Sequence, residues 1–290
     1  MAAQQRPVLI AGPTASGKSA LALALAERGG VVINADAFQV YACWRVLSAR
    51  PEARDLARAP HRLYGHVACD RGYSVGDWLR DVRVALDDAA RAGLRPIVVG
   101  GTGLYFHALT AGLAAIPPIP PEIRALARSM PLAELRAGLD PETAARIDLD
   151  NPVRVQRAWE VFAATGRGLV RWQAETGPPV VAPESAERIL LDVEKDTLNI
   201  NIERRFAAML EHGAIDEVRS FTQWSQQSAQ VIGAKEIRQY LLGETSRESA
   251  TAAAVTATRQ FAKRQRTWFR SRMTGWRRII VPDQGLTSIS

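Results

Sequence analysis

Residues 12–19 read Gly12-Pro13-Thr14-Ala15-Ser16-Gly17-Lys18-Ser19, a complete G-x-x-x-x-G-K-[ST] loop. Chance yields that motif in roughly 1% of chains this long. Val8-Leu9-Ile10-Ala11 before it is a continuous apolar run suited to a buried strand, and Ala20 to Glu27 after it is built from strong helix formers. A strand, a glycine loop and a helix N-terminus together aim backbone N–H groups and a positive dipole end at one point. Lys18 adds a mobile positive charge for phosphate oxygens, and the Ser19 hydroxyl is placed to ligate Mg²⁺. Lysine is scarce, four residues against 33 arginines, so Lys18 is not one of a crowd. A di- or triphosphate is expected in this loop.

Further apolar, β-rich runs recur at Val31–Asn34, Leu63–Val67, Pro96–Val99, Ile189–Val193 and Ile279–Val281, with helical patterns at Ser16–Glu27, Val75–Ala92 and Ile202–Phe221. Alternating strand and helix predicts an α/β fold, a mostly parallel sheet covered on both faces. Ligands then gather at the carboxyl ends of the strands, where the glycine loop lies. Two proline-rich stretches, 116–121 and 177–183, hold seven of the sixteen prolines. The segment between them has helical periodicity and no strand-like run, so the flanks read as stiff hinges around an inserted all-helical subdomain. The expected organisation is a core of residues 1–115 and 187–290 with an insertion at 116–186.

Composition narrows the function classes. With 290 residues and 47% hydrophobic content, the chain can bury a proper core. No apolar stretch approaches the ~18 residues of a membrane span. Met1 to Pro7 runs straight into the first strand, which leaves no room for a signal peptide. Cys43 and Cys69 form no CxxC, and the four histidines show no metal-ligand spacing. A zinc site or disulfide framework is therefore not expected, and both cysteines read as buried thiols in a reducing cytoplasm. The net charge of +7 suggests a polyanionic partner.

Three further constellations could carry chemistry. Asp36 closes the run Val31-Val32-Ile33-Asn34-Ala35-Asp36 and points into the phosphate crevice, where a carboxylate can hold Mg²⁺ through water or take a proton. Gly100-Gly101-Thr102-Gly103 ends the next apolar run and permits close backbone approach to a ligand. From Ser249 to Pro282 there is no acidic residue, and Thr258 to Arg278 packs eight basic residues with Phe261, Trp268, Phe269 and Trp276. On a helix the aromatics Phe261, Trp268 and Phe269 form a core stripe, while Arg259, Lys263, Arg266 and Arg270 form a face suited to RNA phosphates. Arg154 and Arg157 share a helix face with Val161, a second basic candidate, and Arg204-Arg205 is a third.

The segments GPTASGKS, NADAFQVY, GGTGLY, DNPVRVQRAWEV, RRFAAMLEHGAIDEV, VIGAKEI and TRQFAKRQRTWFR, in this order over nearly the whole chain, resemble the bacterial tRNA dimethylallyltransferases. That family transfers the dimethylallyl group of dimethylallyl diphosphate to N6 of the adenine 3′ to the anticodon. The resemblance implies a P-loop NTPase-like core, an insertion that grips the anticodon stem-loop, Mg²⁺ as cofactor, a monomer and a cytoplasmic location. It implies that Gly12 to Ser19 hold a diphosphate, that Asp36 is the general base, and that Thr102 and Arg205 contact the leaving diphosphate. Asp36-Ala37-Phe38-Gln39, Thr102, Arg124, Gln156-Arg157-Ala158-Trp159-Glu160, Arg259, Lys263 and Arg266 would contact tRNA. The chain departs from the usual pattern at Ala37 and Phe38, at Leu47-Ser48-Ala49-Arg50-Pro51 and at His61-Arg62-Leu63-Tyr64-Gly65. Ala37 lacks a hydroxyl that could orient Asp36, so a backbone amide or water must do so.

Two other classes share parts of the pattern. A P-loop kinase of a small molecule or nucleoside would need a lid arginine set, for which Arg50, Arg54 or Arg124 would have to serve. A small-substrate kinase has no use for the acid-free, aromatic-laced C-terminal surface. A non-catalytic RNA-binding protein would not need Lys18, Ser19, Asp36 and Thr102 all chemically intact.

Overall fold

The structure, a computed structural model, describes residues 6–225 and 228–281; Met1–Gln5, at the start read above as too short for a leader, lie outside the described residues. The chain divides into two compact units, Met1–Thr110 with Val181–Ser290, and Ala111–Val180. The sequence-based boundaries were 116 and 186.

The first unit is built on a six-stranded sheet of order β3-β2-β4-β1-β5-β6. Its strands are β1 (Val8–Ala11), β2 (Gly30–Asn34), β3 (His61–Arg62), β4 (Arg95–Gly100), β5 (Glu187–Val193) and β6 (Arg277–Val281). Every pairing is parallel. The order explains the composition of the strands. Central β1 and β2 are fully buried and read as unbroken apolar runs, because helices cover both faces. The edges differ: β3 is the polar pair His61-Arg62, and β6 begins with exposed Arg277 and Arg278, charges that discourage edge-to-edge pairing. Of the expected run Leu63–Val67, only a bridge from Val67 to Tyr41 is strand-like.

Helix Val75–Arg91 shows how local sequence is turned to sheet packing. Ser74 and Asp77 form a reciprocal capping box at its start. Trp78, Val82, Ala85 and Ala89, three or four residues apart, then form the buried stripe. Trp78 stacks on Tyr105 at 4.3 Å and donates its Nε1–H to the Asn34 carbonyl at the end of β2. The helical pattern expected over Ile202–Phe221 is two helices, Lys195–Glu211 and Ala214–Arg219, because Gly213 takes a left-handed φ of 93° between them.

The second unit contains helices and no strand among its described residues. Its longest helix, Pro152–Thr165, opens with Asn151 accepting from the Arg154 N–H and with proline in the first turn. Gly166 ends it at φ 66°. Val155, Ala158 and Val161 face two small cores with Ile119, Leu135 and Leu169.

Cys43 and Cys69, expected as separate thiols, form a disulfide. Cysteine counting cannot see that the Tyr41–Val67 bridge and the Ala42 N–H to Val67 carbonyl bond lay the two segments side by side.

Gly100 lets the ends of β2 and β4 meet. A Cβ there would lie 2.0 Å from the Ala35 carbonyl oxygen, a backbone atom that cannot swing away. Gly100→Ala should therefore cost about 2–3 kcal/mol or block folding. Gly72→Ala, in open space, should stay within about 0.5 kcal/mol of the parent in urea denaturation. Equal midpoints for the two variants would refute the close approach.

Candidate active site

β1, β4 and β2 are neighbours, so the three loops leaving their carboxyl ends converge. The first is the glycine loop. Ala15 and Gly17 adopt left-handed φ values of 62° and 83°, which turns successive amides inward. Gly12 is required by space: a Cβ would sit 2.7 Å from Ser16 Oγ and 3.1 Å from Leu191. Helix Lys18–Ala26 has no side-chain cap and no acid in its first turn, so its N-terminal dipole is not offset locally. Ser16 is 2% exposed and its Oγ has no partner within the protein. A buried hydroxyl left open in this loop matches a ligand oxygen.

Lys18 donates from Nζ to the Pro13 carbonyl at 3.1 Å. Burial pushes its pKa down to about 8, against the raising effect of the Asp36 charge and with a smaller lowering from Arg205. Arg205, in mid-helix Lys195–Glu211, is likewise lowered by burial and raised by Asp36. Two cations are thus held in low-dielectric surroundings around one carboxylate. An incoming dianion would favour the ammonium form of Lys18 and pair with the Arg205 guanidinium.

Asp36 follows β2 and is locked on several sides. Its own N–H donates to Asn34 Oδ1 at 2.9 Å, and Asn34 Nδ2 donates to the Asp36 and Leu63 carbonyls. Its Oδ1 accepts the Phe38 N–H at 3.0 Å. That backbone amide does the orienting that a hydroxyl at 37 could have done. From the third loop, Thr102 Oγ1 accepts the Ala37 N–H at 2.9 Å, which leaves the hydroxyl hydrogen free to donate to a ligand.

Two cavities flank this centre. One of about 610 Å³ lies behind the loop, with Ser19, Arg45, Arg50, Arg54, His61 and Arg205 on its wall. The other, about 70 Å³, is mainly apolar and lies beside Asp36, with Phe38, Ile202, Phe206, Val231 and Phe261 in its lining. Arg205 borders both. The segment between Asp36 and Pro51 forms part of each wall. It is anchored by Glu217, whose carboxylate accepts the N–H groups of Arg45, Val46 and Leu47 at 2.6–3.0 Å.

The structure therefore brings the glycine loop, Asp36, Thr102 and Arg205 to one place, and it changes several other expectations. Thr14 cannot offer its N–H to a ligand, because that group donates to Gln265. Gln39 spends both amide hydrogens on the Ser48 and Ala49 carbonyls, stapling its own loop. Phe38 packs 5.8 Å from the Phe261 ring in the apolar pocket.

In the helical unit, Ala158 is fully buried and has no surface to present to RNA; the core stripe passes through it. Glu160 is also buried, held by Gln156 at 2.8 Å and Arg157 at 3.7 Å. Trp159 is part-buried against Gly138, while Arg124 and Arg154 are exposed. On the C-terminal helix, Arg247–Arg272, Lys263 and Arg270 are exposed, Arg266 is part-buried, and Arg259 pairs with Glu203.

Among the described residues no three His, Cys, Asp or Glu side chains form a metal cluster. One carboxylate and one hydroxyl, Asp36 and Ser19, suit Mg²⁺, which takes most of its oxygens from phosphate and water. The sequence reading missed Asn34, Glu217 and Gln265. Gln265 alone carried a signal: a polar residue four positions after Phe261 and four before Phe269, inside the apolar stripe.

Comparisons with known proteins point to one family. A family model described as IPP transferase matches residues 39–272. The chain is 56% identical over 285 residues to a tRNA dimethylallyltransferase of Cereibacter sphaeroides, covering 96% of this chain and 90% of that one. It is equally identical over 286 residues to one of Paracoccus denitrificans, covering 95% of each. Among solved structures, a tRNA isopentenylpyrophosphate transferase from Bacillus halodurans has a TM-score of 0.67 at 32% identity, covering 95% of this chain and 89% of that one. A eukaryotic dimethylallyltransferase acting on tRNA reaches 0.80 at 26% identity, covering 95% and 74%. This chain belongs to the IPP transferase family.

Proposed function

We propose that the protein transfers the dimethylallyl group of dimethylallyl diphosphate to N6 of the adenine 3′-adjacent to the anticodon of tRNA, releasing diphosphate. The observation that carries the reading is an apolar pocket of about 70 Å³ lined by Asp36 and Arg205, the two charges that also act on the buried Lys18 of the phosphate loop. Relatives of this identity and coverage are tRNA dimethylallyltransferases. The protein is read as a monomer, and as cytoplasmic from the tRNA reaction alone, since the Cys43–Cys69 disulfide removes the argument from reduced thiols.

An exocyclic adenine amine is a poor nucleophile, so the burden falls on the allylic C1–O bond. That bond breaks with its electron pair leaving on the diphosphate, and the N6 lone pair forms the new bond to C1. Loop amides, Lys18, Arg205 and the Thr102 hydroxyl are the groups available to stabilise charge on the departing oxygens. The Asp36 carboxylate takes the N6 proton, which prevents reversal. Mg²⁺, held through Ser19, Asp36 and the diphosphate, would neutralise further charge. Phe38, Ile202, Phe206 and Phe261 give the C5 chain an apolar wall and keep water from an allylic cation. The target adenine leaves its stack, which is cheaper in a loop than in a duplex.

Incubation with unmodified tRNA, Mg²⁺ and dimethylallyl diphosphate should yield N6-prenylated adenosine and diphosphate in equal amounts. Asp36→Ala should cut kcat by about two orders of magnitude with tRNA affinity retained. Turnover of ATP with the prenyl donor ignored would instead establish a kinase.

Lys18 gives the pH dependence. Its ammonium form binds the diphosphate, so kcat/KM for the donor should hold below pH 8 and fall about ten-fold per unit above it. Lys18→Arg should remove that limb, at lower overall activity, because a guanidinium does not titrate there. A flat parent profile to pH 9.5 would overturn the lowered Lys18 pKa, and a parent-like KM for the donor in Lys18→Ala would remove Lys18 from donor binding.

Lys263 and Arg266 are proposed to meet RNA phosphates. Each alanine substitution should weaken tRNA binding and lower the slope of log K against log salt by roughly one. An unchanged slope would exclude that face as the RNA contact.

A further inference from the structure

The buried residues of helix Arg247–Arg272 are Ala250, Ala254, Val255, Ala262, Gln265 and Phe269, a set with one strongly polar member. Burying a primary amide is costly unless both its ends find partners. Gln265 is 6% exposed, and its two ends reach two different loops of the site. Its Oε1 accepts the Thr14 N–H of the glycine loop at 2.9 Å. Its Nε2 donates to the Gly101 carbonyl of the turn after β4, also at 2.9 Å.

Gly101 is squeezed by this arrangement. A Cβ there would lie 2.3 Å from Gln265 Nε2 on one side and 3.3 Å from Asp36 Oδ2 on the other. The next residue, Thr102, holds the Ala37 N–H beside the same carboxylate. Two residues on, Gly103 lies against the Trp268 ring of the same helix, where a Cβ would approach to 2.2 Å. One amide thus joins the phosphate loop to the turn that backs Asp36. The helix that supplies it also carries the exposed Lys263 and Arg270.

We propose that Gln265 is a positioning residue for the transfer reaction. It sets the separation between the glycine loop and the Gly101-Thr102 turn, so that donor C1 and the Asp36-bound amine meet at bonding distance. The inference rests on the transferase reading above. It concerns geometry at the reacting atoms, where a displacement of about 1 Å can cost 10²-fold in rate. An amide of this length is needed because one end must accept and the other donate. Aspartate and asparagine are too short to span both loops, and glutamate supplies two acceptors.

Gln265→Glu tests this without changing side-chain length. The introduced carboxylate still accepts from Thr14 but faces the Gly101 carbonyl, with Asp36 across the glycine. At pH 8 kcat should fall at least ten-fold, with KM for the donor and Kd for tRNA within about three-fold of the parent. The gap to the parent should narrow toward pH 5.5, where a protonated carboxyl regains a donor. Gln265→Met, of similar volume and with neither bond, should lose kcat equally at both pH values. Parent-like kcat in the glutamate variant at pH 8 would overturn the proposal. So would parallel loss of kcat, tRNA affinity and helical circular dichroism in both variants, which marks a merely structural role. If the parent itself transfers no prenyl group, the function reading fails, an outcome distinct from either of these.

Discussion

The site exists because three parallel strands end side by side and their backbones can touch. β2, β4 and β1 are adjacent, and the contact of Gly100 with Ala35 allows the Thr102 N–H to reach the Ala35 carbonyl at 3.2 Å. A parallel sheet puts all its carboxyl ends on one edge. The glycine loop, Asp36 and Thr102 inherit their proximity from that arrangement rather than from nearness in sequence. Helix Lys195–Glu211 then supplies Arg205 after β5, and helix Arg247–Arg272, paired with it through Arg259 and Glu203, reaches the edge with Gln265.

Electrostatics and shape divide the work inside this frame. Burial disfavours the charged forms of Lys18 and Arg205 and the Asp36 carboxylate favours them, so the site is a compromise among three charges. A diphosphate shifts that compromise by adding negative charge where the amides already point. The apolar pocket beside Asp36 is small, with Phe38, Phe206 and Phe261 in its wall. The larger cavity behind the loop is basic, with Arg45, Arg50, Arg54 and Arg205 on its wall.

Much of this was legible in the residues. Apolar runs marked β1, β2, β4 and β5, broken in β5 by Asp192, because a doubly covered strand has little polar face to show. The glycine loop was legible because its backbone conformation demands particular residues at fixed offsets. Asp36 stood out as an acid at the tip of such a run. What stayed hidden depended on neighbours distant in sequence. Glu217 looks like any helical carboxylate until the fold lays three N–H groups of residues 45–47 against it. Cys43 and Cys69 meet only because a bridge aligns their loops. Ala158 sits within a basic, aromatic stretch, yet periodicity reveals that a stripe is buried without showing where the core lies. There the core takes Val155, Ala158 and Val161.

The central claim is that main-chain amides and Lys18 grip the diphosphate while Asp36 faces the carbon it leaves. A crystal structure with a non-transferable thio-analogue of dimethylallyl diphosphate tests this most directly. The account predicts both phosphorus atoms within the Gly12–Ser19 loop and C1 directed into the apolar pocket toward Asp36. A diphosphate lodged away from the loop, or a prenyl chain directed away from Asp36, would contradict it.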